Sequence, residues 1–430
     1  MTRSRGPGGP GGSPAAAPEP AGSPERRGAR AAAAPPVAPR SLRPRRYQLR
    51  KEAVGVVLRG APWIFRDHLS SAAQVFSDGQ WLELVDGQNR VIGYGSYEAR
   101  GAIAIRVLRR GAEAPDAAWL AAQVRAALAR RAPLRADTDA LRAIHGESDG
   151  IPAVVVDVFG GTAVAQSYAA GSDALARLAG RWVADELGVP RLLWRAARRR
   201  QGAAEVLEPP RWLRGGGRGD AVETFREGAL TFACDPTDGQ KSGAYLDLRG
   251  LRRAVAGLPL AGARVLNLFA YTGMLGRCAE RAGAAEIVQV DASAAALAVA
   301  ARHHVDDERK HTRVVADVFA WLPAQPAAAF ELVIVDPPAM ASRRAQVPRA
   351  LAAYRRLYRA AATQVAPGGT LVAACCTSRI TRAEFEAAVA GALGTAFERT
   401  RELPPELDHP VTFAEADYLK VSLWTRTRPS

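Results

Sequence analysis

The chain has 430 residues, 48% of them hydrophobic, with 58 Lys and Arg against 43 Asp and Glu and a formal net charge of +15. That length and apolar content suggest two or three domains with real cores, and the positive surplus fits a polyanionic partner, with a general bias toward Ala, Arg and Gly as the competing account. Four cysteines without a C-x-x-C pair argue against a disulfide framework or a zinc site, and no apolar run reads as a secretory leader or membrane span, so a reducing cytoplasm is the expected setting.

Residues 1–45 are Pro, Gly, Ala and Arg with almost no aromatic or β-branched side chains, a composition that reads as a disordered basic tail. From 46 to 112 the pattern turns to short stretches read as strands: Ala53–Leu58, Gln80–Asp86, Val91–Tyr97 and Ala102–Val107, with Asp86-Gly87 as a hairpin signal. They predict a small β-barrel of a kind that binds oligonucleotides, with Arg43, Arg45, Arg46, Arg50, Lys51 and Arg59 supplying charge at its start. Trp63 is read as a core plug of that barrel, base stacking being the alternative.

Over 113–225 a helix capped by Asp116 carries Trp119, Leu120, Val124 and Leu128 on one face and leads into a small α/β region. Its strands are expected at Ala153–Phe159 and Arg191–Trp194, with a helix near Ala174–Glu186 between them. His145, Glu147 and Asp149 invite a metal reading. They are better read as a polar turn, because no further histidine or carboxylate has matching ligand spacing. Arg195, Arg198, Arg199 and Arg200 form either a solvated loop or a phosphate contact.

The chemistry lies in 226–430. Val265–Phe269 reads as a buried parallel strand running into the turn Ala270-Tyr271-Thr272-Gly273 and then a helix to Ala282, with Gly273 letting the backbone come close to a ligand. The next apolar strand ends in Asp291, placed to accept ribose hydroxyls. The dinucleotide fingerprint G-x-G-x-x-G is absent, which favours S-adenosylmethionine over NAD; a ligand-free βαβ unit is the bland alternative. Upstream, Lys241 and Arg249 are candidates to hold a cofactor carboxylate. Downstream, Asp317 follows a short strand and is expected beside adenine. Asp336-Pro337-Pro338 ends another strand with a stiffened acid, and a last strand ends in Cys375-Cys376. Open α/β sheets bind ligands outside the carboxyl ends of their strands, so Gly273, Asp291, Asp317, Asp336 and Cys376 are expected to converge on one crevice.

In order and motif the chain resembles the RlmI-type class I rRNA methyltransferases. The resemblance covers roughly Arg46 to Trp424 and rests on Pro62-Trp63-Ile64-Phe65, His145 to Pro152, Lys241 to Arg249, Asn267 to Gly273, Asp336-Pro337-Pro338, Asp408-His409-Pro410 and Tyr418-Leu419-Lys420. It implies an α/β chain with an N-terminal PUA-like β-barrel (46–112), a small middle α/β domain (113–225) and a C-terminal Rossmann-like methyltransferase (226–430). It also implies methylation of cytosine C5 in large-subunit (23S) rRNA, with S-adenosylmethionine as cofactor, ribosomal RNA as partner and no membrane; a homodimer is compatible with it. By the same likeness Cys376 is the nucleophile, assisted by Asp336. Lys241, Tyr245, Asn267, Phe269, Tyr271, Thr272, Gly273, Asp291, Asp317, Val318 and Asp336 bind the cofactor, and no metal is expected. The family's Ser-Cys-Ser-Gly stands here as Cys375-Cys376-Thr377-Ser378, and the Lys after Asp-Pro-Pro is Ala339. The other readings are N-methylation of an RNA base, an NAD-linked oxidoreductase, and a non-catalytic RNA-binding protein.

Overall fold

The structure, a computed structural model, describes residues 44–70, 76–197, 209–217, 222–237, 242–327 and 330–428. The expected tail up to residue 43, Arg198 to Arg200 and Lys241 lie outside the described residues.

The first sheet contains β1 (Arg45–Gln48), β2 (Trp63–Phe65), β3 (Trp81–Val85), β4 (Val91–Tyr97) and β5 (Ile103–Arg110), in the order β1-β3-β4-β5-β2. Its ladders are antiparallel except for β1 with β3. Among the described residues the ladders run from β1 at one edge to β2 at the other. The β3–β4 turn is built as its sequence suggests, for the Asp86 carboxylate accepts the backbone N–H of Gln88 and Arg90, each at 2.9 Å. The left-handed residue of that turn is Asn89, at φ 63°.

The stretch Ala53–Leu58, expected as a strand, lies in helix α1 (Lys51–Leu58). Its valines suggested a strand, but Ala53 and Val57 lie four apart on one helical face. Both are fully buried in a cluster with Tyr47, Ile64, Leu82, Leu84 and Ile105. Burial of that face outweighs a weak β preference.

Helix α2 (Ala117–Arg131) starts where expected, with the Asp116 carboxylate accepting the Trp119 N–H at 2.7 Å. Strands β6 (Ala140–His145), β7 (Val154–Phe159), β8 (Thr162–Ser167), β9 (Arg191–Ala196) and β10 (Arg211–Arg214) form the second sheet, ordered β10-β9-β8-β7-β6. Helix α3 (Asp173–Leu187) crosses over between the parallel pair β8 and β9. The hairpin β11 (Glu223–Glu227) and β12 (Leu230–Cys234) follows. A domain cut between 225 and 226 falls inside β11. Phe225 and Phe232 share one core cluster with Phe159 of the second sheet and Val265 of the third, so the hairpin is a seam between the two.

The third sheet takes its order from the crossovers of a doubly wound fold. Its elements are α4 (Arg249–Ala256), β13 (Arg264–Leu268), α5 (Met274–Arg281), β14 (Glu286–Asp291), α6 (Ala294–His303), β15 (His311–Val315), α7 (Val318–Trp321), β16 (Phe330–Val335), α8 (Val347–Ala362), β17 (Val365–Cys375), α9 (Arg382–Leu393), β18 (Phe397–Leu403) and β19 (Lys420–Arg426). The strands run β15-β14-β13-β16-β17-β19-β18, and β19 is antiparallel to both its neighbours. Helices α4 and α5 cover one face and α8 and α9 the other. The chain moves outward from β13 through β14 to β15, then returns to the other side of β13 as β16. The connections at the carboxyl ends of β13 and β16 therefore diverge and leave a crevice between them. Among the described residues no helix is long and apolar enough to cross a membrane.

Candidate active site

A cavity of about 440 Å³ occupies that crevice. One wall is the turn after β13, where Phe269 and Tyr271 take left-handed backbone conformations at φ 60° and 50°. Such strain persists only where neighbours over-determine it. Here the Tyr271 N–H donates to Asp291 Oδ2 at 2.8 Å and the Ala270 N–H to the Val290 carbonyl at 3.0 Å, tying the turn to the end of β14. Asp291 is itself held by the Ser293 N–H at 2.8 Å on Oδ1, which sets its carboxylate at the cavity wall. Asp317 caps α7 by accepting the Phe319 N–H at 2.9 Å, and the rings of Phe269 and Phe319 meet edge to face at 5.4 Å beside it. The result is an apolar slot flanked by acids, a shape that suits adenine and ribose.

The opposite wall joins two loops. Asp336-Pro337-Pro338 leaves β16, and Cys376 follows the last residue of β17. Thr377 binds them together: its hydroxyl accepts the Met340 N–H at 3.1 Å, and its carbonyl accepts the buried Lys420 ammonium at 2.9 Å. The Cys376 thiol lies 3.7 Å from the Pro337 carbonyl and is half-buried at the cavity. Cys375, one residue earlier on the strand, is fully buried against α8 in an apolar cluster with Tyr354 and Tyr358. Alternation along β17 thus decides between the two thiols.

Of the residues expected here, Tyr245, Phe269, Tyr271, Thr272, Asp291, Asp317, Val318, Asp336 and Cys376 line the cavity. Three others are placed differently. Gly273 stands between the lining residues Thr272 and Met274; a Cβ there would come within 2.7 Å of both Ala300 and Gln289, and its φ is 77°, so packing and turn geometry also require glycine. Asn267 is buried in the interior, 1% exposed, away from the cavity lining. Arg249 does not reach for a cofactor carboxylate, because its guanidinium is bound to Asp408 at 3.0 and 3.1 Å and to Glu406 at 3.2 Å. The polar turn at 145–150 also spends its carboxylates on cations, Asp149 on Arg131 at 2.6 Å and Glu147 on Arg106 at 2.5 Å.

Sequence reasoning missed Asp247, Phe319 and Leu419, which all line the cavity. Asp247 accepts the Tyr418 hydroxyl at 2.6 Å across 171 residues of chain, a pairing no local pattern announces. His304 was also missed. It is fully buried, its Nε2 accepts the Ala233 N–H at 2.9 Å, and its Nδ1–H donates to the Thr272 carbonyl at 2.5 Å, so it ties the β11–β12 hairpin to the cofactor turn. Acceptance at Nε2 needs the neutral ring, and burial drives its pKa down to about 4. The unfolded chain takes up this proton near 6.5 and the folded chain near 4. His304 therefore lowers stability as pH falls between those values, by up to about 1.4 kcal/mol per pH unit, and costs nothing above them. Urea unfolding at pH 4.5, 5.5 and 7 should show that slope reduced in His304→Gln; an equal slope in both proteins removes the assignment.

A mostly parallel sheet with a topological switch at β13 and β16, an acid ending β14 at the cavity wall and a cavity at the carboxyl ends define a class I methyltransferase. Residues 177–421 match the family described as S-adenosylmethionine-dependent methyltransferase, and residues 48–110 match a PUA-like domain. The chain belongs to that methyltransferase family, and S-adenosylmethionine is its cofactor. It is 39% identical over 404 residues to the ribosomal RNA large subunit methyltransferase of Deinococcus radiodurans, a match covering 89% of this chain and 98% of the relative. It is 30% identical over 381 residues to ribosomal RNA large subunit methyltransferase I of Shewanella amazonensis, covering 84% and 94%. Among solved structures, the chain has the fold of SMU.776 in its complex with SAH, with a TM-score of 0.75 at 18% identity over 89% of this chain and 100% of that one.

Proposed function

We infer that the protein methylates carbon 5 of a cytosine in large-subunit (23S) ribosomal RNA through a covalent bond to Cys376. The observation that carries the reading is the opening of the Cys376 thiol onto the cavity that Asp336, Asp291 and Asp317 line, while Cys375 is sealed in the core. The relatives' names supply the RNA, and the PUA-like domain is of a kind suited to hold it.

When bound, S-adenosylmethionine supplies an electrophilic methyl group. Cytosine C5 is too weak a nucleophile to take it unaided. Addition of the Cys376 thiolate to C6 moves the ring electrons toward C5 and N3, and C5 then bonds to the methyl carbon as that carbon's bond to the sulfonium sulfur breaks and the pair stays on sulfur, leaving a neutral thioether. Asp336, stiffened by two prolines, contacts N3 or the exocyclic amine and favours that electron shift. Loss of the C5 proton returns its bonding pair to the ring, re-forms the C5–C6 double bond and expels the thiolate. Asp291 and Asp317 would hold the ribose and adenine, and Phe269, Val318 and Phe319 would supply the apolar wall for the adenine ring. The target base must be unpaired or extruded from any duplex to reach the thiol. Such work on ribosomal RNA belongs in the cytoplasm.

S-adenosylmethionine at about 100 times its dissociation constant should stabilise the full chain by roughly 2.7 kcal/mol, seen as a raised melting temperature, and NADH should leave it unmoved. Mass mapping of rRNA nucleosides from cells lacking the protein should show the loss of one 5-methylcytidine. Loss of an N-methylated base instead, or of nothing, overturns the reading.

A further inference from the structure

A second cleft, of about 520 Å³, lies where three parts of the chain meet: Trp63 of the first sheet, His145, Ala153 and Tyr168 of the second, and Phe413 and Tyr418 of the loop before β19. It adjoins the methyltransferase cavity, since the Tyr418 hydroxyl donates to Asp247 at 2.6 Å and Asp247 lines that cavity. Tyr168 stands just past the end of β8 with 42% of its surface exposed. A half-exposed aromatic residue that lines a cleft, with its hydroxyl end desolvated by the protein, is anchored at that end and offers apolar surface to a ligand.

The backbone holds that ring in place under strain. Ala153 takes φ 57°, and its carbonyl accepts the Tyr168 N–H at 2.8 Å. Asn89, Phe269 and Tyr271 are the other non-glycine residues with positive φ among those described; the first turns a hairpin and the other two shape the cofactor loop. Strain of this kind gathers at functional sites.

The chemistry of the lining selects among ligands. Its cations are already matched: Arg106 is bound by Glu98 and by Glu147 at 2.5 Å, and Arg142 by Asp157 at 2.8 Å. A phosphate would find no spare charge among these groups. The imidazole of His145 is neutral, because burial and the neighbouring Arg142 drive its pKa down to about 2. Arg142 donates to its Nδ1 at 3.4 Å, so the proton sits on Nε2, which no group among the described residues accepts. The Trp63 indole N–H donates to Glu147 at 2.8 Å and its ring meets Phe413 edge to face at 5.1 Å, which fixes the far wall. Aromatic faces, one imidazole donor and no free cation make a site for a nucleobase.

The geometry points to this cleft as the seat of a second, unstacked nucleobase of the RNA, close in the strand to the one being methylated, stacked on Tyr168 and hydrogen-bonded by His145. The assignment rests on the RNA-methylating reading and adds a specificity subsite to it. Trp63 is then neither the expected core plug nor a free stacking ring, but the pin that joins the first sheet to the cleft.

The test uses the full chain and, as substrate, large-subunit rRNA from cells lacking the protein. Tyr168→Ala should raise KM for RNA by roughly 5- to 150-fold, the range for one base stacked on an aromatic ring, with cofactor affinity, melting temperature and kcat at saturating RNA unchanged. Tyr168→Phe should restore most of the loss, since the ring and not the hydroxyl carries the stack. A parental KM in Tyr168→Ala overturns the subsite. A parent protein that transfers no methyl group to RNA overturns the functional reading instead. Zero-length ultraviolet crosslinking of the parent to the same rRNA, which needs no turnover, then reads the cleft by itself. Crosslinks at Tyr168 or Trp63 support it, and crosslinks confined to other surfaces overturn it.

Discussion

Cys376→Ala should lower methyl transfer by about three orders of magnitude or more, while S-adenosylmethionine and RNA bind as they do to the parent. The effect is large because in the proposed mechanism the thiol bonds to the base and no neighbour can replace it: Cys375 is fully buried on the other face of β17. Cys375→Ala should keep most activity and lose about 1 kcal/mol of stability from the apolar cluster under α8. RNA carrying 5-fluorocytosine at the target separates the two roles further. Fluorine cannot leave as the C5 proton does, so the adduct between C6 and the sulfur persists, and the parent and Cys375→Ala should both accumulate a protein–RNA band stable to denaturation. An equal band from Cys376→Ala would falsify the covalent role, and full activity without any band would do the same.

Arg249→Met should destabilise the fold by about 3–5 kcal/mol in denaturant unfolding. Arg249 is 2% exposed and binds Asp408 through both terminal nitrogens, Glu406 through one, and the Ala140 carbonyl at 2.9 Å. Asp408 has no exposed side-chain surface and also accepts the Arg142 backbone N–H at 2.9 Å, while its carbonyl accepts Arg131 at 3.2 Å. Helix α4 and strand β6 therefore meet at the Asp408 carboxylate and helix α2 at its carbonyl, all on the loop that also carries Tyr418 and Leu419. Methionine fills the arginine's volume but leaves that carboxylate without its cation.

The pH dependence follows with a definite sign. Burial alone raises the Asp408 pKa, but His409 and Arg249 outweigh it and hold the carboxyl well below its ordinary 3.8. This contribution to stability is present above the unfolded value and is lost as pH falls through the lower folded one. In Arg249→Met the folded value rises, so acid unfolding should move to higher pH. The double variant Arg249→Met with Asp408→Leu should recover most of the loss, because the carboxylate that lost its cation is removed with it, while Glu406 keeps Arg253 and Glu227 keeps Arg252. If the single variant matches the parent in midpoint and in acid limit, the junction is not held by this pair.

The cofactor half of the site was legible because its determinants are local. A parallel strand covered on both faces is a continuous apolar run, and the residue that ends it stands at the ligand crevice whatever the rest of the chain does. Val265 to Leu268 with its turn, the strand ending in Asp291, and Asp336-Pro337-Pro338 could each be read within about ten residues, and the cavity lining contains those acids. Asp116 could be named as a cap for the same reason, since its partner is three residues away.

Tertiary contacts decided the rest. Helix α1 forms against the valine pattern of its own sequence because the first sheet buries Ala53 and Val57 on one helical face. Gly273 is required by Gln289 and Ala300, and Arg249 is claimed by Asp408, partners 16, 27 and 159 positions away that no local pattern names. Alternation along the strand allowed only one of Cys375 and Cys376 to face the cavity, and the packing of α8 against β17 made Cys375 the buried one. The junction cleft had no sequence signature, because its walls come from three parts of the chain and its rings meet only when Glu147 binds Trp63 and Asp247 binds Tyr418. A strand end advertises its place through hydrophobic periodicity, whereas a buried ion pair or a wall shared between domains depends on which distant surfaces the fold brings together.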